Sequence, residues 1–320
     1  MTNVLAADIG GTNARFAIAN EHGIVWRGTY SSGKPFMDTL AEVLKTTGRY
    51  TPRIACFAVA GPISPDGSTC FLTNAKWKID AKLIQKKTSL NSVILINDFE
   101  AIGYAMNALD QKSITYVQGK LKKLPERVAI IGAGTGLGHV FAFCKEGTYT
   151  AIPSEAGSSL LMPQNSEEYA FAEFLKTYDE LPEIESIVSG RGIVRAYVFY
   201  AGAEPAFLKD VPEEEKPAAI MRNYTKDPLA KKAFSLFERF YGYQARNYCV
   251  SVLAQAVLIA GGIAAKNEKI FGKDFITAFR MSNVPSIRDI LKNTPVGVIT
   301  DQDVGLKGAA WVALTKKHKV

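Results

Sequence analysis

Near the start of the chain, the apolar run Leu5-Ala6-Ala7 leads through Asp8 into Ile9-Gly10-Gly11-Thr12-Asn13, and a second apolar run follows through Ala19. Glycine lets a backbone approach a ligand closely, and successive amide N–H groups in such a turn can converge on an anion. Asp8, Gly10, Gly11, Thr12 and Asn13 are therefore candidates for an anion-binding turn. Taken alone, Gly-Gly between two β-prone runs is equally an ordinary hairpin signal. A second glycine run, Gly132-Ala133-Gly134-Thr135-Gly136-Leu137-Gly138, follows another apolar stretch, and Gly261-Gly262 closes a third. Asp98 stands where the run Val93–Ile96 ends, the place at which open α/β sheets meet their ligands. Asp is also a favoured helix cap, so the same residue reads as the start of a helix over Phe99–Leu109.

The elements that must position these residues follow from periodicity. Short strands are expected over Val4–Ile9, Ala14–Ala19 and Ile24–Thr29, then helical spacing over Met37–Thr46, a buried strand at Ile54–Ala60, a helix over Ala81–Lys87 and a strand at Val93–Ile96. The second half repeats the order. Strands are expected at Val128–Ile131, Val140–Phe143 and Tyr149–Ile152, and helices over Ser166–Tyr178, Ile193–Tyr200 and from Leu229 to Ala256. Strand Val257–Ala260, helix Asp274–Phe279, strand Val296–Ile299 and helix Val304–Lys316 complete it. Aligning Asp8 with Gly132 superposes the two glycine turns, which predicts an internal duplication of β-β-β-α-β-α-β with larger helical insertions in the second copy. The lysine-rich stretch Gln111–Pro125 is the expected linker, and the last helix is expected to pack back on the first domain.

Composition bounds the function. A chain of 320 residues is long for one core, so two domains are the default, and 47% apolar with 22% charged residues is typical of soluble globular proteins. With no basic-then-apolar leader and no apolar run near ~20 residues, the expected setting is the cytoplasm, without a membrane partner. Cys56, Cys70, Cys144 and Cys249 form no C-x-x-C pair, which argues against a zinc site and fits a reducing compartment. The net charge of +7 is scattered, which fits anionic substrates and does not indicate a nucleic-acid surface. His22, His139 and His318 suggest no triad and are expected on the surface or in turns.

Two familiar motifs are ruled out. Gly28–Lys34 spells most of a P-loop, but Pro35 stands where a metal-ligating Ser or Thr belongs. The second glycine run has Leu137 where G-x-G-x-x-G needs glycine, and the β-prone His139-Val140-Phe141-Ala142-Phe143-Cys144 follows where that fold needs a helix.

Five motifs in order, Asp8–Arg15 (DIGGTNAR), Ile96–Phe99 (INDF), Gly132–Gly138 (GAGTGLG), Ser189–Gly192 (SGRG) and Ala260–Ile263 (AGGI), resemble those of the bacterial glucokinases of the hexokinase and actin-like ATPase superfamily. The resemblance covers essentially the whole chain. It implies an α/β, duplicated ribonuclease-H-like (actin-like ATPase) fold with two lobes around a cleft: a small lobe of 1–110 plus 301–320 and a large lobe of 111–300. It implies ATP-dependent phosphorylation of glucose at the 6-hydroxyl, the first step of glycolysis, and suggests a homodimer. Asp98 would be the base and Asn97 would hold sugar hydroxyls. Glu155 and Glu185 resemble the sugar-binding carboxylates, although either also reads as an exposed turn acid. Asn74, in Thr73–Trp77, would belong to a loop over the sugar. Thr12 and Thr135, with Gly10, Gly11, Asn13, Gly134 and Gly136, would contact the phosphates of ATP, and Asp8 would hold Mg2+ through water. Gly261 and Gly262 resemble the adenosine-contacting turn, or serve simply as a helix entry.

One departure stands out. The family has Glu-x-Gly-His where this chain has Glu155-Ala156-Gly157-Ser158. The shorter Ser158 weakens the contact near the sugar's C1–C2 end or leaves it to water. That keeps a kinase for another hexose or an amino sugar as an alternative, beside a catalytically weak sugar sensor of the same fold.

Overall fold

The computed structural model describes residues 2–11, 13–72, 77–267 and 270–315. The first sheet is built around β1 (Val4–Ile9), which is buried throughout except at Asp8, as expected of a strand with helices on both faces. It runs antiparallel to β2 (Asn13–Asn20), which pairs in turn with β3 (Gly23–Ser31), an edge strand of alternating exposure. α1 (Phe36–Thr46) leads to β4 (Ile54–Val59), parallel to β1. Then come β5 (Thr69–Leu72) and β6 (Trp77–Asp80), a small hairpin that the periodicity did not reveal, and α2 (Ala81–Lys87), whose first turn is capped by the Asp80 carboxylate. β7 (Ser92–Asn97), parallel to β4, and α3 (Asp98–Ala105) close the copy, and the sheet order is β3-β2-β1-β4-β7.

The second copy follows β8 (Ile114–Gln118), a strand inside the stretch expected to be a plain linker. β9 (Arg127–Ala133), β10 (Leu137–Lys145) and β11 (Thr148–Ser154) precede the helical insertion α4 (Ser166–Leu175), α5 (Gly190–Ala201), α6 (Lys216–Arg222) and α7 (Pro228–Val252). Helix α7 stops four residues short of the expected Ala256 because Leu253 turns to a left-handed φ of 48°. β12 (Ala256–Ala260), α8 (Gly262–Lys266), α9 (Lys273–Phe279), α10 (Pro285–Asn293), β13 (Val296–Ile299) and α11 (Val304–Thr315) complete the chain. The expected end of that last helix, Lys316, lies outside the described residues. The sheet order is β11-β10-β9-β12-β13-β8. Without the antiparallel edge strand β8 it repeats the first sheet strand for strand, so the expected duplication is present.

Contacts divide the chain into a first unit of 1–111, 142–153 and 301–320 and a second of 112–141 and 154–300. Residues 142–153, placed with the second domain by the sequence division, thus group with the first. Within the first unit, side chains alternate between two cores. Leu5, Ala7 and Ile9 pack with Phe36, Leu40 and Val43 of α1, while Val4 and Ala6 pack with Ala101 of α3 and Leu306, Ala309 and Ala313 of α11. The second unit is centred on α7, whose Phe234, Phe237, Phe240 and Tyr241 are fully buried. His139 corrects an expectation: it is 1% exposed on β10, with both ring nitrogens lacking a hydrogen-bond partner. His22 does lie exposed in the β2–β3 turn, and His318 is outside the described residues. The four cysteines are free thiols. Among the described residues no helix is long and apolar enough to cross a membrane.

Candidate active site

In the first unit, Ile9 of β1 pairs with Val59 of β4, which pairs with Asn97 of β7, so three parallel strands end level at one sheet edge. The Gly10–Asn13 turn and the Asn97-Asp98 pair therefore share that edge, two strand spacings or about 10 Å apart. The turn is closed by the Gly10 N–H donating to the Asn13 carbonyl at 3.0 Å. Gly11 is half-buried and Asn13 exposed, while Thr12 and Asn74 lie outside the described residues. Asp8 is half-buried, and its carboxylate accepts from the Arg15 guanidinium on β2. Asp8 lies on the α11 face of the strand, where a Cβ at Gly305 would come within 2.9 Å of Oδ2 and displace the carboxylate.

Asn97, rather than Asp98, caps α3, which spans Asp98–Ala105 instead of Phe99–Leu109. Its Oδ1 accepts from the N–H groups of Phe99 at 2.8 Å and Glu100 at 3.3 Å, and Glu100 completes a capping box. The reason is conformational: Asn97 is extended (φ −64°, ψ 150°), which suits the cap position, and Asp98 is the first helical residue. Asp98 is half-buried with Oδ1 2.9 Å from the Phe99 nitrogen, a position favoured for an anion by the helix dipole. Burial pushes the nearby Cys70 thiol up to about 11, and the Asp98 charge adds to the shift.

In the second unit, Gly134-Thr135-Gly136 joins β9 to β10 and closes through a 2.8 Å bond from the Gly134 N–H to the Gly136 carbonyl. Thr135 is exposed. Glu185, half-buried, reaches this turn: Oε2 accepts from the Leu137 N–H at 2.9 Å and Oε1 from Arg191 at 3.0 Å. Glu155 and Ser158 are exposed on a short 3-10 turn that follows β11. The loops of Glu155 and Glu185 are laced together, with Ile184 N–H donating to the Ser159 carbonyl at 2.8 Å and Leu161 N–H to that of Pro182 at 3.2 Å. Gly157 lies so close to β10 that a Cβ would be 2.4 Å from the Leu137 oxygen. Leu137 thus ties together the glycine turn and both candidate carboxylates. Gly261 (φ 89°) and Gly262 enter α8, at the same edge as the Gly134 turn because Ala260 pairs with Gly132.

Periodicity missed Arg15, although it stands two residues beyond the Gly10–Asn13 turn, as far as Asp8 stands before it. It also gave no role to Arg191, which stands inside the Ser189–Gly192 motif, and missed Gln244 and Tyr248, for which no local signal exists.

Two copies of one strand order, each with a glycine turn after its first strand, define the duplicated α/β fold of sugar-kinase type. A family model described as Glucokinase matches residues 5–316. A glucokinase of Nostoc sp. is 32% identical, covering 98% of this chain and 99% of that protein. Among solved structures, a glucokinase from an Antarctic psychrotroph aligns with a TM-score of 0.82 at 23% identity, covering 98% of this chain and 99% of the other. A ROK family glucokinase from Streptomyces griseus, in complex with glucose and AMPPNP, aligns with a TM-score of 0.69 at 18% identity, covering 98% and 99%. The chain belongs to the glucokinase family.

Proposed function

We propose that this protein transfers the γ-phosphoryl group of ATP to the 6-hydroxyl of glucose. The observation that carries the reading is the shared sheet edge of the first unit, where a glycine turn beside Asp8 and a carboxylate at Asp98 lie at the ends of strands on either side of β4. Asp98 accepts the 6-hydroxyl proton as that oxygen bonds to the γ-phosphorus and the bond to the β–γ bridging oxygen breaks, leaving ADP. Asn97 is held by its cap through Oδ1, so its Nδ2 is the group that donates to the sugar. Glu155 and Glu185 accept from the remaining hydroxyls. The Gly10 and Gly134 N–H groups close their own turns, so phosphate donors are the remaining amides and hydroxyls at Gly11, Thr12 and Asn13 and at Thr135 and Gly136. Gly261 and Gly262 face the adenosine.

Among the described residues no cluster of three metal-ligating side chains occurs. A lone carboxylate such as Asp8 still fits magnesium, which keeps several waters and takes most other ligands from phosphates. When bound with the nucleotide, that ion neutralises charge on the phosphates. The free cysteines fit a cytoplasmic setting, and the homodimer suggested by the family is read by light scattering.

Coupled ADP-release assays over a panel of hexoses test the reading: glucose should give the highest kcat/KM, and no acceleration by any sugar would refute it. Asp98→Asn should lower kcat by ~10²-fold or more, the usual contribution of a positioned base. An unchanged rate would favour a sugar sensor instead. Ser158, exposed where the family has imidazole, favours one second reading: another hexose or an amino sugar as best substrate, visible in the same panel.

A further inference from the structure

Gln244 and Tyr248 lie one helical turn apart on α7, 5% and 4% exposed, and both reach the loop that carries Glu155. The Gln244 Nε2 donates to the Ala156 carbonyl at 3.0 Å. The Tyr248 hydroxyl bonds to Ser154 Oγ, which also accepts from the Ala156 N–H at 3.3 Å. The residues on either side of Glu155 are therefore pinned to one helix face, while Glu155 itself stays exposed. The Tyr248 ring is fixed in turn: it stacks on Phe141 at 4.5 Å and lies 4.2 Å from the buried His139 ring. Burial, with the Glu155 charge adding to it, pushes the Tyr248 hydroxyl up to about 12, so it remains a donor at neutral pH.

Packing does not hold this loop alone. A pocket of about 240 Å³, lined by Leu160, Ile184 and Gln244 among others, adjoins the segment immediately after it. Hydrogen bonds from α7 fix the residues flanking Glu155, beside the backbone bonds that lace this loop to that of Glu185.

We infer that Tyr248 and Gln244 are positioning residues that set the Glu155 carboxylate for its sugar hydroxyl. The inference rests on the reading of Glu155 as a sugar-binding group. Both residues act through Glu155, so the effect falls on the sugar and not on ATP.

The test is a double-mutant cycle on the full-length protein with glucose and ATP. Glu155→Gln alone reports on the site reading: if it leaves the glucose KM unchanged, that reading fails, whatever Tyr248 does. Tyr248→Phe keeps the ring stacking and removes one hydroxyl. It should raise the glucose KM about tenfold, the worth of one well-placed hydrogen bond, with the ATP KM unchanged and the melting temperature lowered by no more than a few degrees. In the Glu155→Gln background the same change should have less than a twofold effect. Gln244→Met provides a second variant and should behave alike, with partial recovery in Gln244→Asn excluded because the shorter amide does not reach. A rise in glucose KM of equal size in both backgrounds, or none in either single variant, overturns the inference.

Discussion

Asp8 and Arg15 are direct partners across β1 and β2, and the guanidinium bonds the carboxylate beside the first glycine turn. The side chains are 38% (Arg15) and 18% (Asp8) exposed, so the pair contributes ~1 kcal/mol or less to stability. Its significance is orientation. Arg15→Ala should leave the melting temperature within a few degrees of wild type. The KM for ATP should rise about tenfold while the glucose KM stays level. Steady-state kinetics with each substrate varied in turn separates the two.

Asn97 caps α3 and, in the proposed site, also donates to the sugar, and substitution can separate the two. Asn97→Ser keeps an oxygen for the α3 cap and should stay within about 0.5 kcal/mol of wild-type stability. It removes the amide donor, so the glucose KM should rise about tenfold. Asn97→Ala loses the cap as well and should cost about 1 kcal/mol in urea denaturation.

Two buried groups shape the pH dependence of stability with opposite signs. Burial pushes His139 down to about 3. Its folded value lies below the ordinary one, so the unfolded chain binds the extra proton, and stability is lost as pH falls from about 6.5 toward 3. Burial, with Asp274 adding to it, pushes Glu238 up to about 8 against the lowering effect of the Gly272 and Phe275 N–H groups and Arg239. There the folded chain holds the extra proton, so stability is lost as pH rises from about 4.5 toward 8. Each slope is at most ~1.4 kcal/mol per pH unit, and between about 4.5 and 6.5 they offset one another. Denaturation against pH should show His139→Phe flattening the acid limb and Glu238→Gln the limb above about 6.5. Phenylalanine fills the same buried position without a polar nitrogen, so that variant should be no less stable at pH 7.

The residue order alone determined the repeated strands of the two sheets. Buried parallel strands are continuous apolar runs, so β1, β4, β7, β9, β12 and β13 were all legible, and their repeat predicted the duplication. The glycine turns and the acids at strand ends were legible too, because those residue types are needed wherever a backbone meets a ligand. Short elements without a continuous apolar run were not. β5 and β6 have four residues each, too few for a period to show, and β8 hides among lysines. Tertiary structure alone decided which neighbour does what. Asn97 and Asp98 are both capable caps, and only the backbone angles at their junction assign the cap to Asn97. Tyr248 meets Ser154 from 94 residues away, and His139 turns inward against the Tyr248 ring of α7. Such partners are chosen by the packing of whole elements, a property that no local stretch of sequence carries.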